Sequence, residues 1–495
     1  LTRISGFALL GGKNPQPLPE PANRPAKRND IMDTPTNDFA KSPLSDEDLG
    51  KPLTYGTEAF LSPDYAKDEP DMLWAKVWQM AGRLEDIPEP GDFITYEIAG
   101  ESIIIIRKDA ATINAFYNVC PHRGRQLISV PKDQNGVRGN VKKRFICGFH
   151  GWNFDLDGKN SYILDPQDWQ GALTEERTSL SPVKVDDWGG FIYVNMDPHS
   201  ETLLEYLGQA ANILAPFEFE KMRYKWRQWV IYPANWKTSI EAFMEPYHVA
   251  GTHSQLLKYG NYYAYSKPYG LHGVSGFDER DASLRKEGGT SNTRAGLGAD
   301  ARISTYQLAR ENYETVNQAS TTLTLVNAAK RLVDELPEGT PAPEVIKHWL
   351  ASARADDAAR GVIWPTITPA QMSEAGLAWS IFPNQSILQG ATSALCYRAR
   401  PHGTDPDKCV FEAYALERFP PGEEPKTEWT YAEPTAEKWG SVLAQDFANM
   451  EYVQNGMKSR GFRGPLPNPH QEQKITNFHR QLAKYMRRGA PRLLD

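Results

Sequence analysis

Apolar positions recur with two different periods along this chain. Between residues 93 and 118 the period is that of a strand, and the sequence predicts strands at Phe93–Ile98 and Ser102–Lys108, with Thr112–Asn118 following. The run Ile103, Ile104, Ile105, Ile106 has no polar face and reads as a strand buried on both sides. A comparable apolar strand, Phe191–Asn195, comes after the glycine pair Gly189 and Gly190. Upstream, Met72, Trp74, Val77 and Trp78 predict a helix within Ser62–Trp78, with Pro70 in its first turn, where a missing N–H costs little. These elements describe a small antiparallel domain over about residues 51–200.

The remainder, 201–495, reads as a larger unit. A half-exposed strand is expected at Tyr224–Tyr232 and a helix at Asn235–Ala250. Helical patterns fill much of 256–375, among them Thr305–Leu332 and Pro343–Arg360, so this stretch is expected to be a helical insertion. Strands return at Leu377–Phe382, Ser386–Leu388, Ala394–Arg400 and Val410–Phe419, and a final long helix is expected at Glu437–Lys458. Residues 1–50 hold Pro15, Pro17, Pro19, Pro21 and Pro25 close together, which predicts an extended arm.

Composition narrows the classes. Over 495 residues the hydrophobic content of 40% and charged content of 24% are those of a soluble globular protein. A net charge of −7 speaks against a general nucleic-acid or membrane-surface binder, and no apolar run is long enough for a spanning helix. Four cysteines are too few for a disulfide framework, which fits a reducing cytoplasm.

The chemistry begins with two short loops. Cys120 and His122 sit in Cys-Pro-His-Arg-Gly, and Cys147 and His150 in Cys-Gly-Phe-His-Gly-Trp. Two thiolates and two imidazoles are the ligand set of a Rieske [2Fe–2S] centre, in which two cysteines hold one iron and two histidines the other. A tetrahedral zinc site is the competing reading, but zinc fingers usually keep like ligands together, whereas each loop here carries one of each. Gly124, Gly148 and Gly151 permit tight turns that aim backbone N–H groups at cluster sulfurs.

A second group lies in the helix expected at Asn235–Ala250. Glu245 and His248 are three apart, and His253 follows beyond Pro246 and Gly251, which can bend the helix end. Two histidines and a carboxylate form a facial triad for non-haem Fe(II), leaving positions open for O₂ and substrate. The carboxylate is either Glu245 or a residue from a distant segment.

At this point the chain resembles the large (α) subunit of Rieske non-haem iron oxygenases, the aromatic-ring-hydroxylating type. The resemblance rests on both Cys-His loops, on Asn235, Trp236 and Lys237, and on Glu245, Pro246, Tyr247, His248 and His253. It also rests on Phe382, Pro383 and Asn384, and on Asp446, Asn449, Met450 and Glu451. It covers about 70–255 and 377–462. It implies an α+β fold: a small antiparallel β Rieske domain plus a larger helix-grip (START-like) catalytic domain. It implies that Cys120, His122, Cys147 and His150 hold the [2Fe–2S] cluster and that His248, His253 and Asp446 hold the mononuclear Fe(II). Glu245 would bridge to a cluster histidine of the neighbouring subunit in a head-to-tail homotrimer, with or without a small β subunit. Electrons would come from a ferredoxin or a flavin-dependent NAD(P)H reductase, for which the basic turn Lys142, Lys143, Arg144 is a candidate dock. Two departures stand out. The bridge is commonly Asp, and the family's frequent Glu-Asn-Phe reads Glu241, Ala242, Phe243.

The expected reaction is O₂-dependent hydroxylation of a hydrophobic, aromatic substrate, by ring dihydroxylation or monohydroxylation. Glu at the bridge occurs in monohydroxylating and demethylating members, so a Rieske-type O- or N-demethylase or monooxygenase is the alternative. An electron-transfer protein with a degenerate oxygenase site is the third reading. Residues flanking the ligands are expected to line the pocket: Phe243, Met244, Val249, Leu256, Leu257, Trp379, Phe382, Ile387 and Leu388. Tyrosines of the 256–375 stretch, namely Tyr262, Tyr263, Tyr265, Tyr269, Tyr306 and Tyr313, are candidates to cap it.

Overall fold

A computed structural model describes residues 44–131, 134–253, 255–256, 263–277 and 300–494. Most of the expected N-terminal arm, Leu257 and Tyr262 lie outside the described residues.

The first sheet is antiparallel. Its strands are β1 (Gln79–Arg83), β2 (Asp92–Ile98), β3 (Glu101–Arg107), β4 (Ile113–Tyr117), β5 (Arg138–Asn140), β9 (Pro182–Trp188) and β10 (Phe191–Asn195). Their spatial order is β1-β10-β9-β4-β3-β2-β5. A separate ribbon, β6 (Phe145–Ile146), β7 (Asn153–Phe154) and β8 (Asn160–Tyr162), carries the second Cys-His loop. The isoleucine run is on β3, and all four side chains are fully buried. Alternation sends Ile103 and Ile105 into the main core and Ile104 and Ile106 into a second core that holds Cys120, Cys147, Trp152 and Phe154. The strand therefore separates the body of the protein from the lobe bearing the Cys-His loops.

The second sheet comprises β11 (Arg223–Tyr232), β12 (Ala264–Tyr269), β13 (His272–Phe277), β14 (Ala378–Ile381), β15 (Gln385–Gln389), β16 (Ser393–Pro401), β17 (Cys409–Glu417) and β18 (Thr430–Tyr431). The order is β12-β13-β14-β15-β16-β17-β11-β18. Every pairing is antiparallel except the short β11–β18 one. The mixture of helix and antiparallel sheet agrees with the expected α+β class.

Several expectations change in detail. The helix near Ser62 starts earlier than expected, as α1 (Pro63–Glu69), with Ser62 capping the Tyr65 N–H. Pro70 follows α1 and sits, as expected, in a first turn, that of the π-helical segment Pro70–Trp74. The expected helix Asn235–Ala250 is broken into α2 (Trp236–Glu241) and α3 (Val249–Thr252), because Pro246 lacks the N–H a continuous helix needs. Among the described residues of 256–375, residues 264–277 form a β hairpin that extends the second sheet, and the helices come after it. These include α4 (Ala301–Thr315), α5 (Leu323–Glu335) and α6 (Ala342–Ala359), packed around a small core of their own that includes Ala329, Leu332 and Val345. The long helix is α7 (Ser441–Met457), but it is not the last. An unexpected α8 (Gln473–Met486) buries Ile475, Phe478, Leu482 and Met486 on one face and packs on β12 and β13.

Candidate functional site

The two Cys-His loops are built alike. The Cys120 N–H donates to the Arg125 carbonyl and the Cys147 N–H to the Trp152 carbonyl, each at 2.8 Å. Gly124 and Gly151 close the turns by donating back to the two cysteine carbonyls, each at 3.0 Å. Both glycines have φ near +70°, a backbone that L side chains resist. Both thiols are buried. Burial pushes the Cys120 thiol up to about 11, with the neighbouring Cys147 thiol adding to the rise. A metal that takes both sulfurs as thiolates removes that cost. The imidazoles of His122 and His150 lie with centroids 4.5 Å apart, and His122 stacks on Trp152 at 4.9 Å. The buried Nδ1 of His150 has no hydrogen-bond partner, as a nitrogen reserved for a metal would not. The donor set therefore fits a [2Fe–2S] group. Around it lie the exposed apolar side chains of Ile146, Phe149, Tyr162 and Leu164, each showing half or more of its area, beside the exposed Arg123 and Arg125.

The second centre forms where α7 meets the broken segment after α2. Ligand atoms of His248, His253 and Asp446 lie within 4.8 Å of one another. The His253 and His248 Nε2 atoms are 3.0 Å and 3.5 Å from Asp446 Oδ1. Each histidine has its other nitrogen occupied. His248 Nδ1 lies 2.8 Å from Glu245 Oε1, while Glu245 Oε2 accepts the His248 backbone N–H at 3.0 Å. His253 Nδ1 lies 2.8 Å from Gln445 Oε1, which also takes the Gln255 amide at 2.9 Å. Oxygen acceptors at both Nδ1 atoms fix the Nδ1–H tautomer and leave both Nε2 lone pairs for a metal. A mononuclear iron fits this set, with Glu245 behind His248 and outside the triad itself. Burial pulls the His248 imidazole down, but the Glu245 hydrogen bond and the Glu245 and Asp446 charges outweigh it and raise it to about 9.

A cleft of about 300 Å³ opens beside the triad. Glu241, Glu245, His248, Asp446 and Glu472 line it together with Tyr55, Phe60, Met450 and Met457, and no Lys or Arg lines it among the described residues. Its rim includes the exposed side chains of Val453, Phe462 and Leu466.

The expected pocket residues are placed otherwise. Phe243, Met244, Trp379, Phe382 and Ile387 belong to the main core, Leu256 is buried, Val249 and Leu388 are half-buried, and none of the eight lines this cleft. Proximity in sequence to a ligand does not set the direction of a side chain. Phe243 does stack on Tyr397 at 3.9 Å, and Tyr397 feels the Asp446 charge. Of the candidate capping tyrosines, Tyr306 and Tyr313 pack within the α4–α6 unit and Tyr269 against Trp379. Lys142, Lys143 and Arg144 form an exposed turn. Gln445 was not anticipated, although it directly precedes Asp446.

Comparison with known proteins turns this geometry into a family assignment. Residues 218–488, more than half of the chain, match the family model of the ring hydroxylating alpha subunit (catalytic domain), and residues 77–169 match the Rieske [2Fe-2S] domain. The chain belongs to the family of Rieske ring-hydroxylating oxygenase α subunits. Its cofactors are accordingly a Rieske [2Fe–2S] cluster and a mononuclear iron. Among its relatives, the carnitine monooxygenase oxygenase subunit of Acinetobacter baumannii is 30% identical over 207 residues, 40% of this chain and 52% of the relative. The large oxygenase component of the naphthalene 1,2-dioxygenase system of Pseudomonas putida is 34% identical over 196 residues, 38% of this chain and 42% of that protein. The chain thus spans about half the length, or less, of the curated relatives it matches. A quaternary ammonium Rieske monooxygenase in complex with L-carnitine shares the fold, with a TM-score of 0.58 at 19% identity over 90% of this chain and 99% of that one. No helix among the described residues is long and apolar enough to cross a membrane.

Proposed function

We propose that this α subunit is the oxygenase component of a Rieske monooxygenase acting on a cationic, N-methylated substrate. The observation that carries the reading is the composition of the metal cleft, where Glu241, Glu245 and Glu472 add three acidic side chains beyond the ligand Asp446 and no Lys or Arg lines it among the described residues. An ammonium group is drawn to such a wall and an anionic substrate is repelled. Tyr55 and Phe60 add aromatic edges to the lining of the cleft. The named substrates of the carnitine and glycine betaine relatives, and Glu at the bridging position, agree with this choice.

When bound, the cluster supplies electrons one at a time and the iron supplies O₂ activation. The chain's own residues do the rest. Glu245 and Gln445 hold the imidazole tautomers, and Glu245 keeps a proton at His248 Nδ1. Glu245 lines the cleft. The apolar tip around His150 and the apolar rim at Tyr247, Tyr452, Val453, Phe462 and Leu466 support a head-to-tail homotrimer in which one subunit's tip docks at the next one's cleft. A ferredoxin or flavin-dependent NAD(P)H reductase would feed the cluster.

A second reading, oxidation of an apolar aromatic substrate, is favoured by the apolar side chains of the same cleft, among them Met450, Val453, Met457 and Phe462. Turnover under ¹⁸O₂ with a panel of N-methylated ammonium compounds and bicyclic arenes separates the two. The proposed reading expects one labelled oxygen, in formaldehyde where an N-methyl group is lost and in the alcohol where the product is hydroxylated. A cis-diol carrying both atoms, formed only from the arenes, would contradict it.

A further inference from the structure

Two groups beside the metal cleft have no place in the ligand scheme. Glu241, at the end of α2, lines the cleft, and its Oε1 lies 2.6 Å from Nε2 of His479. His479, on α8, is 2% exposed, against 16% for Glu241. Its ring is held by Tyr55, stacked at 4.1 Å, and by Phe60 at 5.1 Å. This is a buried imidazole whose Nε2 faces a carboxylate that fronts the reaction space. Glu472, two turns earlier on the approach to α8, lines the same cleft. Burial raises its carboxyl to about 7, with the charges of Glu245 and Glu241 adding to the rise. The charged and titratable groups acting on Glu241 are His479 and Glu472 from the α8 region, Lys237 on α2 and Tyr55.

The proposed monooxygenation, on which this inference rests, consumes protons. A substrate C–H bond breaks, a C–O bond forms, and the second oxygen atom leaves as water: R–CH₃ + O₂ + 2 electrons + 2 H⁺ gives R–CH₂OH + H₂O, with the reductase supplying the electrons. Of the lining Glu, Asp and His side chains, Glu245, His248 and Asp446 are committed to the metal or its bridge. Only Glu241 and Glu472 remain. We propose that Glu241, charged by His479 behind it, passes protons into the cleft during O₂ reduction, with Glu472 as the second acid. His479 acts only through Glu241 and is a positioning residue.

The test compares wild type with Glu241→Gln, His479→Gln and His479→Gly. Iron content and cluster spectrum should be unchanged in all three variants, and substrate affinity should be unchanged in the two His479 variants, which keep every carboxylate of the cleft. Coupled product formation should fall about 10²-fold, the scale of a lost general acid. O₂ consumed should appear as peroxide, and imidazole should restore coupling to His479→Gly but not to Glu241→Gln. Independently of turnover, ¹⁵N-histidine NMR of the protein with zinc in the mononuclear site should show a His479 Nε2–H shared with a carboxylate, lost in Glu241→Gln. Wild-type coupling in His479→Gln, or a His479 resonance indifferent to Glu241→Gln, would overturn the proposal. The NMR arm needs neither substrate nor O₂, so it decides the pairing even where the proposed reaction fails.

Discussion

Replacing Gln445 by Leu tests the least conspicuous part of the iron site. In the wild type its Oε1 is the acceptor for Nδ1 of His253, a residue only 2% exposed. Leu fills the space and offers no acceptor. A buried donor left unsatisfied costs about 1–3 kcal/mol. The imidazole escapes that cost by moving its proton to Nε2, where it blocks the metal. The penalty therefore falls on metal binding and not on folding. At about 1.4 kcal/mol per decade it weakens iron affinity by roughly 5–150-fold, close to the 10–100-fold typical of groups that orient a metal's histidines. The Gln255 amide also loses its acceptor, but that side chain is only partly buried and can be hydrated. The assay is Fe(II) titration of protein depleted of mononuclear iron, with cluster absorbance as internal control. Gln445→Glu, which keeps an acceptor, should bind at least as tightly as wild type. Unchanged affinity in Gln445→Leu, or loss of the cluster spectrum with it, would refute the reasoning.

Two further outcomes follow from the structure. Asp446→Ala should leave the cluster's visible spectrum intact and remove one iron per chain, read by metal analysis, with product formation lost. His272 should make the fold acid-sensitive: it is fully buried, its Nε2–H donates to the Tyr206 carbonyl at 2.8 Å, and its Nδ1 accepts the Phe382 N–H at 3.0 Å. Burial lowers it to about 4, so in acid the unfolded chain binds a proton that the folded one refuses. Its contribution to stability is whole above the ordinary value of 6.5 and is lost as pH falls toward 4. The loss between pH 7.5 and pH 5 is about 2 kcal/mol, measured as a drop in urea-unfolding stability that His272→Gln should lack.

What could be read in the sequence was what is local. The Cys-His loops announce themselves because all four donors fall within 31 residues, and the isoleucine run because four apolar neighbours leave no solvent face. Asp446 is different: it lies nearly two hundred residues from His253, and only resemblance pointed to it, since nothing in a helix pattern marks one acid as a ligand. The hairpin at 264–277 turns on Gly270 and Leu271, a short-loop signal outweighed by the helical patterns around it. Helix α8 had a readable apolar stripe at Ile475, Phe478, Leu482 and Met486, yet its importance is tertiary: it carries His479 to Glu241. The bend after α2 was expected from Pro246 and Gly251, but not that both Glu245 oxygens would close on His248.

We propose that electrons reach the mononuclear iron through Glu245. Glu245→Gln keeps the shape and one acceptor oxygen while removing the charge that holds a proton at His248 Nδ1. The direct measurement is single-turnover reoxidation of the reduced cluster by O₂ in the presence of substrate, followed by stopped flow. The account predicts that both metals stay bound and the cluster remains reducible, while reoxidation slows by orders of magnitude, with Glu245→Asp recovering part of the rate. Wild-type kinetics in Glu245→Gln would contradict it, and loss of the mononuclear iron would make Glu245 a ligand instead of a bridge.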